Sequence, residues 1–387
     1  MVRELGIGGC ERDVVKLAKA IDRSKFTPHV GCFVSQGLRY EELCATGTPI
    51  IEFPVRSFMS PSVVRGANVL SHYVREHQIK VIHCFDVPTV LFGVPVARLN
   101  HMPAVIAAQL GERELYKTWM HWSLRATDRI ADVVVANSKF IQQSLVSREH
   151  IPADRTYLCY NGVDTSIFYP SADPKPPEVA AAPLVIGTVC ALRPEKRLDL
   201  LFKAFANVRH LVPGMKLLVV GSGSEKQLTE TWRTELGLTE DCVLIPAQSD
   251  VAPWLRALDI FVISSETESF PNGLLEAMAC GCSVIGSRAG GIPELITHHS
   301  SGLLFESKNL DDLTAALTKL ILDTTLRQSL AKQATVVARE QFSMEINARR
   351  NEALYLKLLA LKAAKARPAA PEKTGSHTTK PAKHKDG

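Results

Sequence analysis

One repeated alternation constrains this chain more than anything else in it. A short run of β-branched and aliphatic residues is followed by a polar turn, then by a segment whose apolar residues recur every three to four positions. In the first half the runs are HVGCFV around Val30, VIHCF around Val81, AVIAAQ around Val105 and DVVVANS around Val133. In the second half they are LVIGTVC around Val185, KLLVVG around Leu217, CVLIPA around Val243, DIFVIS around Phe261, CSVIGS around Val284 and GLLF around Leu303. Apolar runs that do not alternate with polar residues belong to strands covered on both faces. Helical patterns such as Leu200, Leu201, Ala204, Phe205, Val208 and Leu313, Leu317, Leu320, Ile321 supply the cover. The expected fold is α/β, with two Rossmann-like, doubly wound parallel sheets.

The boundary between them falls in YPSADPKPPEVAAAP, Tyr169 to Pro183, which holds five prolines in fifteen residues and no apolar period. This predicts a first domain over 1–168, a linker over 169–183 and a second domain over 184–342. A helix over 343–365 closes the fold, and a disordered basic tail follows over 366–387. A doubly wound domain opens with a strand, a Gly-rich turn and a helix. Here the Gly-rich turn GIGGCE begins at Gly6, leaving only Met1 to Leu5 for the strand. The expectation is a truncated first strand, as from a start codon placed too far downstream.

Charge and cysteine content exclude several classes. From Lys362 to Gly387 there are seven Lys/Arg and two Asp/Glu, so the tail carries the whole net charge of +5. A nucleic-acid-binding domain would carry that charge on a folded face. The tail reads as a solvated extension, with at most a weak peripheral contact to an anionic membrane. No run approaches the ~18 apolar residues of a spanning helix, and the opening residues show no export signal. A cytoplasmic location, at most at the inner face of the membrane, is expected. The nine cysteines contain no C-x-x-C pair, and Cys32 and Cys190 lie in apolar runs, which fits buried free thiols and no zinc site.

The chemistry concentrates in FVISSETESFPNGLLEAMACGCSVIGSRAGGIPEL, from Phe261. A buried strand ends in polar residues, Pro271-Asn272-Gly273 breaks the chain, and LLEAMA forms a helix stopped near Gly281. Ligands of open α/β sheets bind at the carboxyl ends of strands. A helix start there offers free N–H groups that suit a phosphate. Glu268 in the loop and Glu276 in the helix flank the spot. Arg193 and Lys196 follow another strand, with Pro194 placed to open a helix.

The pair Glu268/Glu276, embedded in SSETESFPNGLLEAMACG, resembles the signature of glycosyltransferase family 4. The resemblance extends through GIGGCERDVVKLAKAI, VVANSKFI, YNGVDTSIFYP, ALRPEKRLDLLFKAF and GGIPELI with SGLLF, in family order. It implies the GT-B architecture, two domains facing a cleft with the closing helix over 343–365 crossing back onto the first domain, and a retaining, metal-independent sugar transfer from a nucleoside diphosphate to a hydroxyl, with no cofactor. By position, Arg193 and Lys196 would meet the diphosphate, and Glu268 would contact the donor sugar near its reacting carbon. Glu276 would bind the ribose hydroxyls, and the backbone at Asn272, Gly273 and Leu274 would face the sugar and phosphates. Gly8 and Gly9 would let the first domain approach the diphosphate. The implied partners are a nucleotide-sugar donor and a glycan, lipid-linked or small-molecule acceptor, as in polysaccharide synthesis.

Departures from the family pattern lie in the first domain. Gln109 stands where many relatives have His, Asp86 follows VIHCF, and Arg113 lies in QLGEREL. These three are the acceptor-side candidates. Trp119 and Trp122, with Tyr116 and Met120, fit either core packing or an apolar lip for a lipid-linked acceptor. His83 reads as a core histidine and His298-His299 as an exposed pair. The rival readings are a nucleotide-sugar epimerase of the same fold, a non-catalytic homologue, and a NAD-dependent dehydrogenase, for which GIGGCE lacks the third glycine.

Overall fold

The computed structural model describes residues 1–6, 8–113 and 116–366. The basic tail beyond Ala366 lies outside them. The first lobe contains β1 (Val30–Cys32), β2 (Ile50–Glu52), β3 (Val81–Cys84), β4 (Ala104–Gln109), β5 (Val133–Ala136) and β6 (Thr156–Leu158). The second contains β7 (Val185–Val189), β8 (Lys216–Val220), β9 (Cys242–Ile245), β10 (Ile260–Ile263), β11 (Ser283–Ser287) and β12 (Leu303–Phe305). Each expected apolar run holds a strand. The strands β2 and β6 have no counterpart among those runs: Ile50–Glu52 ends and Thr156–Leu158 begins on a polar residue, so neither shows a continuous apolar run.

The second lobe is one parallel sheet in the order β12-β11-β10-β7-β8-β9. Its direction of growth reverses between β7 and β10, where Ile186 and Gly187 pair with Ile260 and Phe261. The loops leaving the carboxyl ends of these two strands diverge and open a crevice. Helices cover both faces. Phe202, Phe205, Leu313 and Leu317 pack on one side, and Leu274, Met278, Ala334 and Phe342 on the other.

In the first lobe β3-β4-β5-β6 form one parallel set and β1-β2 another. Residues 1–5 run between them. Val2 N–H donates to Gly31 O at 3.0 Å, Phe33 N–H to Arg3 O at 2.9 Å, and Phe85 N–H to Met1 O at 2.9 Å. They occupy the carboxyl end of the central position expected of the first strand, with Val2 and Leu5 fully buried. Burial holds the Met1 ammonium below its ordinary pKa.

The linker packs on the second lobe as part of its surface. Arg256 donates to Ile167 O at 2.7 Å and Tyr169 O at 3.1 Å, and Val179 is buried in that lobe's core. The closing helix, Met344–Ala366, crosses to the first lobe, where Tyr355 Oη meets His83 Nδ1 at 2.9 Å. His83 is a buried core residue stacked on Phe85, and burial pushes its pKa down to about 3. The two crossings are tied together: Val163 N–H donates to Phe342 O at 2.8 Å and Met344 N–H to Val163 O at 2.9 Å. Among the described residues no helix is long and apolar enough to cross a membrane.

Candidate active site

A cleft of about 540 Å³ lies between the lobes over the β7/β10 divergence. Arg193 ends the strand segment and precedes a tight turn, Pro194–Lys196. Its side chain is 64% exposed and its nearest carboxylate, Glu195, is 3.9 Å away, so it is free to meet an anion. Lys196 points inward and pairs with Glu268 Oε1, which also accepts from Ser265 Oγ at 3.0 Å. Burial works to lower the Lys196 pKa, but the Glu268 carboxylate outweighs it and holds the ammonium above its ordinary value. The loops are laced by their backbones: Glu266 N–H donates to Glu195 O at 2.8 Å, and Ser264 Oγ to Lys196 O at 2.8 Å.

The helix Asn272–Ala279 starts at the chain break and points its N-terminus into the cleft. A Cβ on Gly273 would stand 2.9 Å from Val189 O, so the missing side chain lets this helix settle against β7. The Asn272 amide spans three segments. Its Oδ1 accepts from Asn161 Nδ2 at 3.1 Å, and its Nδ2 donates to Asp13 Oδ1 at 3.1 Å. Leu274 lines the cleft floor with its side chain buried in the core. Gly8 and Gly9 line the opposite wall, where a Cβ on Gly9 would come within 3.9 Å of Asn272 Nδ2.

Glu276 is 2% exposed and engaged from the other lobe: its Oε1 receives Arg12 Nη2 at 3.0 Å and Lys16 Nζ at 3.2 Å. The structure thus brings Arg193, Lys196, Glu268, Asn272, Gly273, Leu274, Glu276, Gly8 and Gly9 to one cleft. Burial pushes the Asp13 carboxyl up to about 6, against the pull of Lys16 and Arg12.

The three acceptor-side candidates are corrected. Arg113 is buried and spends its guanidinium on Asp128, at 2.8 and 3.1 Å, and on Gln109 Oε1 at 3.0 Å, with Glu149 at 3.5 Å. Gln109 is consumed by that bond and by the Gly111 carbonyl. Asp86 caps the helix Val87–Leu99, accepting from Thr89 N–H at 2.9 Å and from Arg3 N–H at 2.5 Å. All three brace the first lobe's loops: Arg113 as a buried charge that must be paired, Gln109 as a buried amide bonded to it, and Asp86 as a helix cap. The tryptophans also diverge from core packing: Trp119 is 55% and Trp122 68% exposed, while Tyr116 and Met120 pack on the core. Sequence reasoning missed Arg12, Asp13, Lys16, Asn161 and Glu294. The one signal for Arg12 and Asp13 was the charged triplet Glu11-Arg12-Asp13 at the Gly-rich turn, with Lys16 one helical turn further on.

Comparison with known proteins agrees with this geometry. The family profile "Glycosyltransferase Family 4" matches residues 7–167, and "Glycosyl transferases group 1" matches residues 172–337. The chain belongs to this glycosyltransferase family, and its fold is GT-B. It is 29% identical over 59% of its length to the N-acetyl-alpha-D-glucosaminyl L-malate synthase of Bacillus anthracis, covering 60% of that protein. It is 27% identical over 73% of its length to the GDP-mannose-dependent alpha-(1-6)-phosphatidylinositol monomannoside mannosyltransferase of Mycolicibacterium smegmatis, covering 78% of it. The D-inositol 3-phosphate glycosyltransferase of Mycobacterium ulcerans is matched over 45% of its length at 29% identity. The chain thus spans about half to two thirds of several curated relatives. Among solved structures, Anabaena Alr3699/HepE in complex with UDP superposes with a TM-score of 0.76 at 22% identity, over 91% of this chain and 99% of that one.

Proposed function

We propose that this protein transfers a sugar from a nucleoside diphosphate to an acceptor hydroxyl with retention of configuration. One observation carries the reading: Arg193 and Lys196, from the end of β7, face Glu268, from the end of β10, across the point where the sheet reverses. As the glycosidic bond to phosphate breaks, the leaving diphosphate gains negative charge. The N–H groups opening the Asn272 helix are fixed in place to receive it, and the Arg193 guanidinium and Lys196 ammonium turn onto the diphosphate when the donor binds, before that charge develops. In this reading that charge is met without a metal ion. Glu268, released from Lys196 as the cation turns to phosphate, lends negative charge to the oxocarbenium-like sugar. Retention follows if the leaving group and acceptor share one face of the sugar and a phosphate oxygen takes the acceptor proton. Glu276 takes the donor ribose, sharing its carboxylate between the hydroxyls and the cations of the first lobe.

The acceptor reaches the cleft from the first lobe. The exposed Trp119 and Trp122, with Lys117, His121 and Arg125 beside them, support an acceptor presented at an anionic membrane surface. The relatives' names, which cite an inositol phosphate, a glucosaminyl malate and a phosphatidylinositol mannoside, are compatible with either a soluble or a lipid acceptor.

The test is a thermal-shift screen against UDP-, GDP- and ADP-sugars, followed by turnover assays on the hits. A ligand bound only by the folded state raises the melting temperature. The expected result is one base class that stabilises and is consumed only with acceptor, apart from slow hydrolysis. Acceptor-free interconversion of the donor would turn the assignment to epimerisation. No stabilisation by any nucleoside diphosphate would remove it.

A further inference from the structure

A second contact between the lobes lies outside the cleft. Glu294 sits in the short helix Ile292–Leu295 after β11, on the second lobe. Its carboxylate crosses to the first lobe and accepts from two consecutive backbone N–H groups, Lys139 to Oε2 and Phe140 to Oε1, each at 2.8 Å. Those amides open the helix Lys139–Ser147, which follows β5 and whose own cap, Ser138 Oγ, satisfies Ile141 N–H at 3.1 Å. The unpaired N–H groups and positive dipole end of that helix are thus filled by an anion from the other lobe.

The same stretch is welded to the catalytic loop. Gly291 N–H donates to Glu268 O at 2.8 Å, and Glu294 N–H to Gly291 O at 3.1 Å. A Cβ built on Gly291 would meet Ser269 O at 1.9 Å and the Ser138 Cβ at 3.2 Å, so the catalytic loop and the first-lobe helix press on the same glycine. Ser269 Oγ in turn donates to Leu110 O of the first lobe at 2.6 Å. Glu294 is not among the residues lining the cleft.

We propose that Glu294 is a positioning residue: by clamping the Lys139–Ser147 helix of the first lobe onto the Gly290-Gly291 turn, it fixes where the Glu268 loop stands relative to the acceptor side of the cleft. The inference rests on the assignment of Glu268 to the transfer reaction. A bidentate carboxylate is required for the clamp. A glutamine keeps one acceptor oxygen and turns an NH2 group toward the second N–H, which breaks one of the two bonds.

The experiment compares Glu294→Gln and Glu294→Asp with the wild-type protein. Readouts are affinity for the nucleoside diphosphate that stabilises the protein, turnover at saturating donor and acceptor, and amide hydrogen exchange at Lys139 and Phe140. For Glu294→Gln the expected results are nucleotide affinity within about threefold, turnover reduced about 10- to 100-fold, and exchange at least tenfold faster at whichever of the two amides faces the new NH2 group. Glu294→Asp keeps the charge and recovers part of both effects. Unchanged turnover in Glu294→Gln, or equal losses of nucleotide affinity and turnover, would overturn the proposal. If the wild-type protein turns over no donor, the transfer reading fails. Exchange at Lys139 and Phe140 then still decides the clamp: unchanged rates reject it.

Discussion

Lys16, on the first helix of the first lobe, holds its ammonium 3.2 Å from the carboxylate of Glu276 on the other lobe, 260 residues away in sequence. Arg12 reaches the same oxygen at 3.0 Å. A carboxylate as buried as Glu276 must be neutralised, and here the neutralising charges come from across the cleft. The lobes therefore carry a charge link at the spot assigned to the donor ribose. Lys16→Met leaves Glu276 with Arg12 alone. The expected loss is about 1–3 kcal/mol, less than for a buried pair left with no partner, measured by urea unfolding. A midpoint equal to wild type would show that the pair contributes nothing to holding the fold.

The Lys196–Glu268 pair behaves differently, because both groups line the cleft and each is assigned a role when the donor binds. Lys196→Ala and Glu268→Ala are each expected to lower turnover by about 100- to 1000-fold, the scale seen when one preorganised charge-stabilising group is removed. The melting temperature should fall by several degrees with the fold intact, since each variant leaves a mostly buried charge without its partner. The measurement is steady-state turnover alongside thermal unfolding. Near-normal turnover in both variants would remove the site assignment.

Gly290 ties the Glu268 loop to the turn behind it. Its φ of +53° is left-handed, and a Cβ there would stand 1.9 Å from Glu268 O. Gly290→Ala must shift that carbonyl and strain the turn at a typical cost of about 1–3 kcal/mol. The expected outcome is a loss of turnover of tenfold or more with nucleotide affinity largely retained, measured by titration and initial rates. A variant with full turnover would show that the loop tolerates displacement.

How much of this was legible in the sequence follows from the range of the interactions. The strands and the RPEK and FPNGLLE segments were legible because local pattern and chain breaks determine them: Pro271 and Gly273 stop one element and start another within a few residues. Arg113 misled because a charged residue after a strand looks the same whether it faces a ligand or a buried Asp128 fifteen residues on. Trp119 and Trp122 sit on a helix whose period leaves their face ambiguous, and the packing of Tyr116 and Met120 decided it. Arg12, Asp13, Lys16 and Glu294 have partners 154 to 264 residues away, across the lobes, and no local period encodes such a partner.

The exposed tryptophans make a separate prediction. Neither is in the core, so Trp119→Ala with Trp122→Ala should leave stability and nucleotide affinity unchanged. If this face meets an anionic bilayer, the double variant should lose most of its co-sedimentation with vesicles containing phosphatidylglycerol, because interfacial aromatic rings and flanking cations contribute together. Equal sedimentation of variant and wild type would reject the membrane lip.

Asp13 gives the fold a pH dependence with a definite sign. Burial raises its carboxyl to about 6, and the attraction of Lys16 and Arg12 offsets this only in part. An acid whose folded pKa stands above its unfolded value binds its proton more tightly in the folded chain, so ionising it opposes folding. The penalty is absent below the ordinary carboxylate range near 4, grows between there and about 6, and is complete above that. Asn272 Nδ2 donates to Asp13 at 3.1 Å, and an asparagine at position 13 can still accept that bond through its own amide oxygen. Asp13→Asn should therefore be more stable than wild type at pH 8, by about 1–3 kcal/mol on the scale of 1.4 kcal/mol per pKa unit. The advantage should shrink as pH falls and vanish near pH 4. Paired urea unfolding curves from pH 4 to 8 measure it. An advantage that grows toward low pH would mean that Lys16 and Arg12 outweigh burial, and that the Asp13 carboxylate is a stabilising member of the inter-lobe contact.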